Sequence, residues 1–162
     1  MHIQAAPARP VVKQGSVAAR SGEYFVISVG DGDTIRVKSA NGKPITVRLA
    51  CIDAPETAQG QTGRMATEQL RSLLAVNGGV VSLLPQQTDR YGRTVAEVFT
   101  GGRNVNLDMV ASGNAYAYRE YLARCNGGAY LQAEMDARTS RLGVWQYIQD
   151  YPWEFRKQTR SK

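Results

Sequence analysis

Strand formers open the patterned part of the chain. Residues 23–29 (EYFVISV) are rich in β-branched and aromatic side chains, and Gly30-Asp31-Gly32-Asp33 breaks them as a turn. Residues 34–38 (TIRVK) alternate apolar and polar, the period of a half-buried strand. Asn41-Gly42 is a hairpin signal that Lys43-Pro44 lengthens, and residues 45–52 (ITVRLACI) form the returning strand. These three predict a meander. The period then changes. Residues 61–76 read as a helix with Met65, Leu70, Leu73 and Leu74 on one side, stopped by Asn77-Gly78-Gly79. Residues 80–84 and 93–100 read as strands around a polar turn at 88–92, and 105–111 as a short helix ending near Gly113. Residues 115–118 give a last extended piece, and 129–141 a helix expected to turn Leu131, Met135 and Leu142 inward. From Asp150 the pattern predicts an irregular, basic tail. Five short strands with a helix after the third predict an α+β, mainly β fold: a small, nearly closed barrel carrying helices, of which the OB barrel is one form.

Composition narrows this to an ordinary globular chain. Of 162 residues, 43% are hydrophobic and 21% charged, which excludes a wholly disordered protein. No apolar run approaches the roughly 18–20 residues of a membrane span. Residues 1–22 mix Ala, Pro, Gly, Ser and basic residues and read as a flexible basic arm. They lack a charged-then-apolar secretory signal, although they also suit the stub left by one. The expected organisation is this arm, one domain over 23–151, and a basic tail over 152–162.

Charge sits at the ends. The chain carries 20 Lys and Arg against 14 Asp and Glu. Arg9, Lys13 and Arg20 in the arm face no acid, and Arg156, Lys157, Arg160 and Lys162 face only Glu154, so the body between is neutral. Basic ends suit a polyanionic partner, and equally suit simple solvation. The one histidine is His2, at the extreme terminus. The body therefore holds no histidine base, no Ser-His-Asp triad and no histidine zinc site. Chemistry has to come from carboxylates, arginines, tyrosines or a hard cation on oxygen ligands.

Acidic residues gather at two turns. Asp31 and Asp33 lie between the first two strands, and Asp53 and Glu56 follow the third, in Ile52-Asp53-Ala54-Pro55-Glu56-Thr57. In a meander the start of the second strand and the end of the third lie at one end, so the two turns can be neighbours. Crowded carboxylates repel unless a cation or arginines neutralise them. Oxygen-only ligands suit Ca²⁺ or Mg²⁺ and not zinc. The same spacing also suits two turn-forming aspartates and a loop cap. Arg48 alternates to the face opposite Leu49 and Cys51, and Arg93 follows Asp89-Arg90-Tyr91-Gly92 at a turn. Singly each is an ordinary surface arginine. With the carboxylates, their planar forks fit a phosphodiester.

Asp31-Gly32-Asp33-Thr34, then Arg48 through Thr57, then Asp89-Arg90-Tyr91-Gly92-Arg93 together resemble the three signatures of the thermonuclease (staphylococcal nuclease-like) family. Residues 105–113 and 142–145 continue the match, which spans about residues 23–151. The resemblance implies a five-stranded OB-fold barrel with three helices. It implies Ca²⁺-dependent cleavage of DNA and RNA that leaves 3′-phosphate ends, with Mg²⁺ or another divalent ion as the lesser alternative. Residue by residue, Asp33 and Asp53 would bind Ca²⁺ through side chains and Ala54 through its backbone carbonyl. Glu56 would orient or deprotonate the attacking water and touch the ion through water. Arg48 and Arg93 would clamp the phosphate, and Asp31 would stand just behind the ion. Tyr91 and Tyr121 match substrate-site tyrosines. A neighbouring family tyrosine falls on Arg119, so Tyr118 or Arg119 would take its part. Tyr116 and Tyr118 also suit core or rim positions.

Two departures stand out. Ala54 replaces a frequent Thr, which a carbonyl ligand tolerates, and the segment 57–63 is short and free of lysine. Cys51 and Cys125 permit one disulfide, or else two unpaired small apolar residues. A bridge favours an oxidising compartment, which with the stub-like start gives secretion or the cell envelope or periplasm as the expected location. The expected protein is a monomeric nuclease acting on DNA and RNA. The rivals are a non-catalytic OB-fold nucleic-acid-binding module and a nuclease of the same family without calcium dependence. Replacing Glu56 or Arg48 is expected to slow cleavage by orders of magnitude and leave the fold intact.

Overall fold

The computed structural model describes residues 22–161, so the arm predicted over 1–22 lies outside them but for Gly22. β1 (Glu23–Asp31), β2 (Thr34–Lys38) and β3 (Ile45–Leu49) form the expected antiparallel meander, with Thr34 paired to Arg48. After β4 (Ile52–Asp53) and α1 (Gln61–Ala75), β5 (Val80–Thr88) returns against β1. β6 (Thr94–Thr100) pairs antiparallel with β5 and parallel with β3, Val47 opposite Thr94, and this closes five strands into an OB-type barrel. β7 (Arg103–Asn104) leads into α2 (Val105–Ala111); β8 (Tyr116–Ala117) pairs with β4. α3 (Gly127–Thr139) and α4 (Pro152–Arg160) follow. No described helix is long and apolar enough to cross a membrane.

Alternation fills the interior. Ile35, Val37, Val47, Leu49, Ala96 and Val98 point into the barrel, and Ala66, Leu70 and Leu74 of α1 and Val105, Met109 and Val110 of α2 close its ends. Each large aliphatic side chain removed from water contributes about 1.5–3 kcal/mol. Asn106 of α2 is polar and fully buried. Its Nδ2 donates to the carbonyls of Ala50 (2.9 Å) and Ala96 (3.1 Å), and its Oδ1 accepts from the Val98 N–H (3.0 Å).

Three expectations need correction. The strand predicted over 45–52 breaks at Ala50-Cys51, where Cys51 takes φ 66°, a left-handed backbone that swings β4 out of the barrel. A disulfide to Cys125 and the Tyr118 N–H on the Cys51 carbonyl (2.9 Å) hold that elbow. Second, Leu131, Met135 and Leu142 face outward, at 41%, 62% and 42% exposure. The inward face of α3 is Tyr130, Glu134 and Ala137. Glu134 accepts the Ala117 N–H (2.6 Å), and Tyr130 donates to Glu97 (2.7 Å), so polar groups with partners take the buried positions. Third, the tail expected to be irregular contains α4, with Pro152 at its first turn, Glu154 near its N-terminus and Lys157 and Arg160 near its C-terminus. Each of these suits a helix end. The chain thus carries a fourth helix beyond the three implied.

Candidate active site

The two acidic turns meet at one end of the barrel. A Cβ on Gly32 would fall 2.6 Å from the Ala66 Cβ and 2.7 Å from the Ala54 Cβ. Only glycine there lets α1 and the chain after β4 close on the β1–β2 turn. A Cβ on Gly63 would lie 2.1 Å from the Glu56 carbonyl, so the first turn of α1 rests directly on the backbone of Glu56.

Asp33 and Asp53 are buried, at 6% and 0% exposure. Asp33 Oδ2 accepts the Ala54 N–H (2.8 Å), which ties one acidic turn to the other. Arg48 Nη2 lies 3.4 Å from both Asp33 Oδ2 and Asp53 Oδ1. Its Nη1 donates to the carbonyls of Leu49 (2.6 Å) and Ile52 (3.0 Å). Arg48 is therefore a strut across the break after β3 as well as a cation in the site. Glu56 is half-buried and reaches the cluster through Arg156.

Arg156 was hidden in the sequence among tail charges. Its Nη2 donates to Asp53 Oδ2 (2.6 Å), and its Nη1 to Asp53 Oδ1 (2.9 Å) and Glu56 Oε1 (2.7 Å). No local spacing signals a contact across about a hundred residues; only the helical end charges of α4 hinted at order there.

The carboxylates titrate unlike free ones. Burial raises Asp33, but Arg48 and the Ala54 N–H outweigh it and hold the group below its ordinary value. Burial, assisted by the charge of Asp33, pushes Asp53 to about 6 against the pull of Arg156. Asp31, whose Oδ1 accepts the Asp33 N–H (3.0 Å), is pushed to about 7 by burial first and by the Asp33 charge second. A carboxyl raised in this way stabilises the fold most below its ordinary value of 3.8, and that stabilisation is lost as pH rises through about 7. Asp31→Asn keeps the acceptor and removes the titration. In chelator its melting temperature should gain on the wild type from pH 4 to pH 7 and level off above. The gain across the shift from 3.8 to about 7 should be about 4 kcal/mol, roughly 8–16 °C. A difference that is flat in pH would refute this account of Asp31.

Arg93 stands just before β6, beside β3, and pairs with Asp89 (2.8 Å) rather than with the carboxylate cluster. Asp89 Oδ1 also accepts the N–H groups of Tyr91 (2.9 Å) and Arg93 (3.0 Å), so it builds the turn that aims both. Tyr91 is exposed, with Arg90 and Arg93 over its ring at 4.8 and 5.3 Å. Tyr121 meets Tyr118 edge to face at 4.9 Å, and Tyr118 stacks on Trp153. Tyr116 belongs to the core. Arg119 is held by Glu134 and by the Ala117 carbonyl.

Among the described residues no group of three or more His, Cys, Asp or Glu forms a ready metal cage. The donors nevertheless suit a hard divalent ion in kind. They are carboxylate oxygens from Asp33, Asp53 and Glu56, and two of these already share a cationic group, the Arg156 guanidinium.

The family model described as Staphylococcal nuclease homologue matches residues 46–147. An uncharacterized endonuclease of Haemophilus influenzae is 38% identical over 120 residues, 74% of this chain and 64% of that protein. A micrococcal nuclease of Shigella flexneri is 37% identical over 146 residues, 84% of this chain and 81% of that protein. Endonuclease YhcR of Bacillus subtilis is 31% identical over 93% of this chain but only 14% of its own length. Barrel, charged site and kinship together define an enzyme of the nuclease class. The chain belongs to the staphylococcal nuclease homologue family, as its three sequence signatures led one to expect.

Proposed function

We propose that this chain is a sugar-non-specific nuclease that uses Ca²⁺ to hydrolyse phosphodiester bonds of DNA and RNA, leaving 3′-phosphate ends. The observation that carries this is the meeting of Asp33, Arg48, Asp53 and Glu56 at one barrel end, where the β2–β3 pairing brings the two acidic turns together. Asp33, Asp53 and the Ala54 carbonyl would hold the ion. When bound, the ion supplies positive charge against the phosphate oxygens and acidifies water. Glu56 orients the attacking water and accepts its proton. Arg48 and Arg93 grip the phosphate and stabilise the charge of an in-line transition state. Tyr91 and Tyr121 flank the substrate, with Tyr118 and Arg119 at the rim. Asp31 stands behind Asp33 and fixes its backbone.

Cleavage of single-stranded DNA with Ca²⁺, with Mg²⁺ and with chelator tests this reading. Cleavage that needs Ca²⁺ is expected. A folded protein that is inactive in every condition would favour a binding module instead. One observation favours a second reading, a nuclease without calcium dependence: Arg156 already brings a positive charge to Asp53 and Glu56. Activity that persists in chelator would select it. The Cys51–Cys125 bridge supports secretion or a periplasmic location, and we take the protein to act as a monomer.

A further inference from the structure

One face of α4 meets both parts of the site. Arg156 sits between Asp53 and Glu56. Trp153, three residues earlier and so on the same helix face, stacks on Tyr118 with ring centroids 5.6 Å apart and planes within 5°. A cation lies among the carboxylates and a flat ring lies on the tyrosine. These are the chemistries of a divalent ion and of a nucleobase.

The rest of α4 is lightly held. Pro152 is its one buried residue, and Glu154, Lys157, Gln158, Thr159 and Arg160 are exposed. The chain leading into it is tied down by Gln59 on the Asp150 carbonyl (2.9 Å) and by Thr62 on Gln149 (2.8 Å). Those ties, with Trp153 stacked on Tyr151 at 4.6 Å as well as on Tyr118, secure the first turn of the helix, and beyond it Arg156 makes the contact with the carboxylates. Stacking on Tyr118 is a contact that a nucleobase can replace, and Arg156, itself 29% exposed, pairs with buried Asp53 and half-buried Glu56 through carboxylate oxygens that a divalent ion can take over.

We propose that α4 is an internal plug: Arg156 and Trp153 fill the cation and base positions in the free protein, and a divalent cation with single-stranded nucleic acid displaces them. This rests on the calcium-nuclease reading above. Electrostatics favours the exchange. Asp33, Asp53 and Glu56 carry three negative charges, and Arg48 and Arg156 return two. A divalent ion in place of Arg156 returns all three. The freed helix presents Arg156, Lys157 and Arg160, which gain phosphate contacts when nucleic acid arrives.

Calcium titrations of the full chain by calorimetry test the plug. Arg156→Ala should bind Ca²⁺ about tenfold more tightly than the wild type, within the usual span of such couplings. Calcium should also shift the tryptophan emission of the wild type, and Trp153→Phe, which keeps Trp145, should lose that shift. If the melting curve shows that Arg156→Ala does not fold, Trp153→Ala carries the same expectation of tighter binding. Equal or weaker Ca²⁺ affinity in the folded variants overturns the plug. If the wild type still cleaves DNA with Ca²⁺ in that case, only the plug falls. If none of these proteins binds Ca²⁺, the plug falls and the calcium assignment with it.

Discussion

Arg48→Ala should lower cleavage of single-stranded DNA by about a thousandfold or more and also destabilise the fold. The rate falls because a guanidinium aimed at a phosphate acts where charge develops in the transition state. The stability falls because Asp33 and Asp53 stay buried with one partner fewer, and the carbonyls of Leu49 and Ile52 lose their donor. Removing one member of a buried charge cluster costs about 3–5 kcal/mol. This revises the simpler expectation that Arg48 can be removed without harm to the fold. Arg48→Lys separates the two effects: it keeps the charge, loses the fork, and should recover more stability than rate. Turnover of Arg48→Ala within tenfold of the wild type, at a temperature where both are folded, would remove Arg48 from the reaction.

Glu56→Gln should lower turnover by a factor of about 10²–10⁴, the range of a lost proton acceptor, with little change in melting temperature. The side chain is 30% exposed and its backbone place is fixed independently, by Gly63 beneath it and by the Gln59 side chain on its N–H (2.9 Å). The amide keeps the shape and can still accept from Arg156. The contrast between the two variants is informative in itself. Arg48 supports the buried cluster itself, while the structural contact of the Glu56 side chain is its pair with Arg156, which the amide can keep. Single-turnover rates on a defined oligonucleotide, with melting curves alongside, measure both. Near-normal turnover in Glu56→Gln would leave the water without its assigned partner.

Much of the barrel was legible because its signals are local. The alternation in TIRVK, the polar turn at 88–92 and the Gly-Gly stops each act within a few residues, and β2 and α2 fall where the pattern puts them. Asp33, Arg48 and Asp53 were legible as one site because a meander brings both turns to the same end. What escaped depends on distant partners. The break at Cys51 requires β8 and the Cys125 loop to hold a left-handed residue, and nothing in ITVRLACI announces it. The inward face of α3 carries Glu134, whose burial makes sense only once its partners, the Ala117 N–H and Arg119, are known. A search for apolar stripes therefore selected the opposite face. Arg156 looked like a solvated tail charge because the carboxylates that hold it lie in another part of the chain.

The amide of Asn106 also decides where this chain can be divided. A polypeptide ending after β6 would contain every strand of the closed barrel, yet it would lack the side chain that meets the Ala50 carbonyl and the Val98 N–H and that shares the Ala96 carbonyl with the Ala50 N–H. Unmet polar groups of that kind cost about 1–3 kcal/mol each, a large part of a small domain's stability. The barrel is thus no detachable module to which helices were later added. Strands and α2 therefore depend on each other, and a shortened chain meant to keep the two acidic turns in place would have to keep that asparagine.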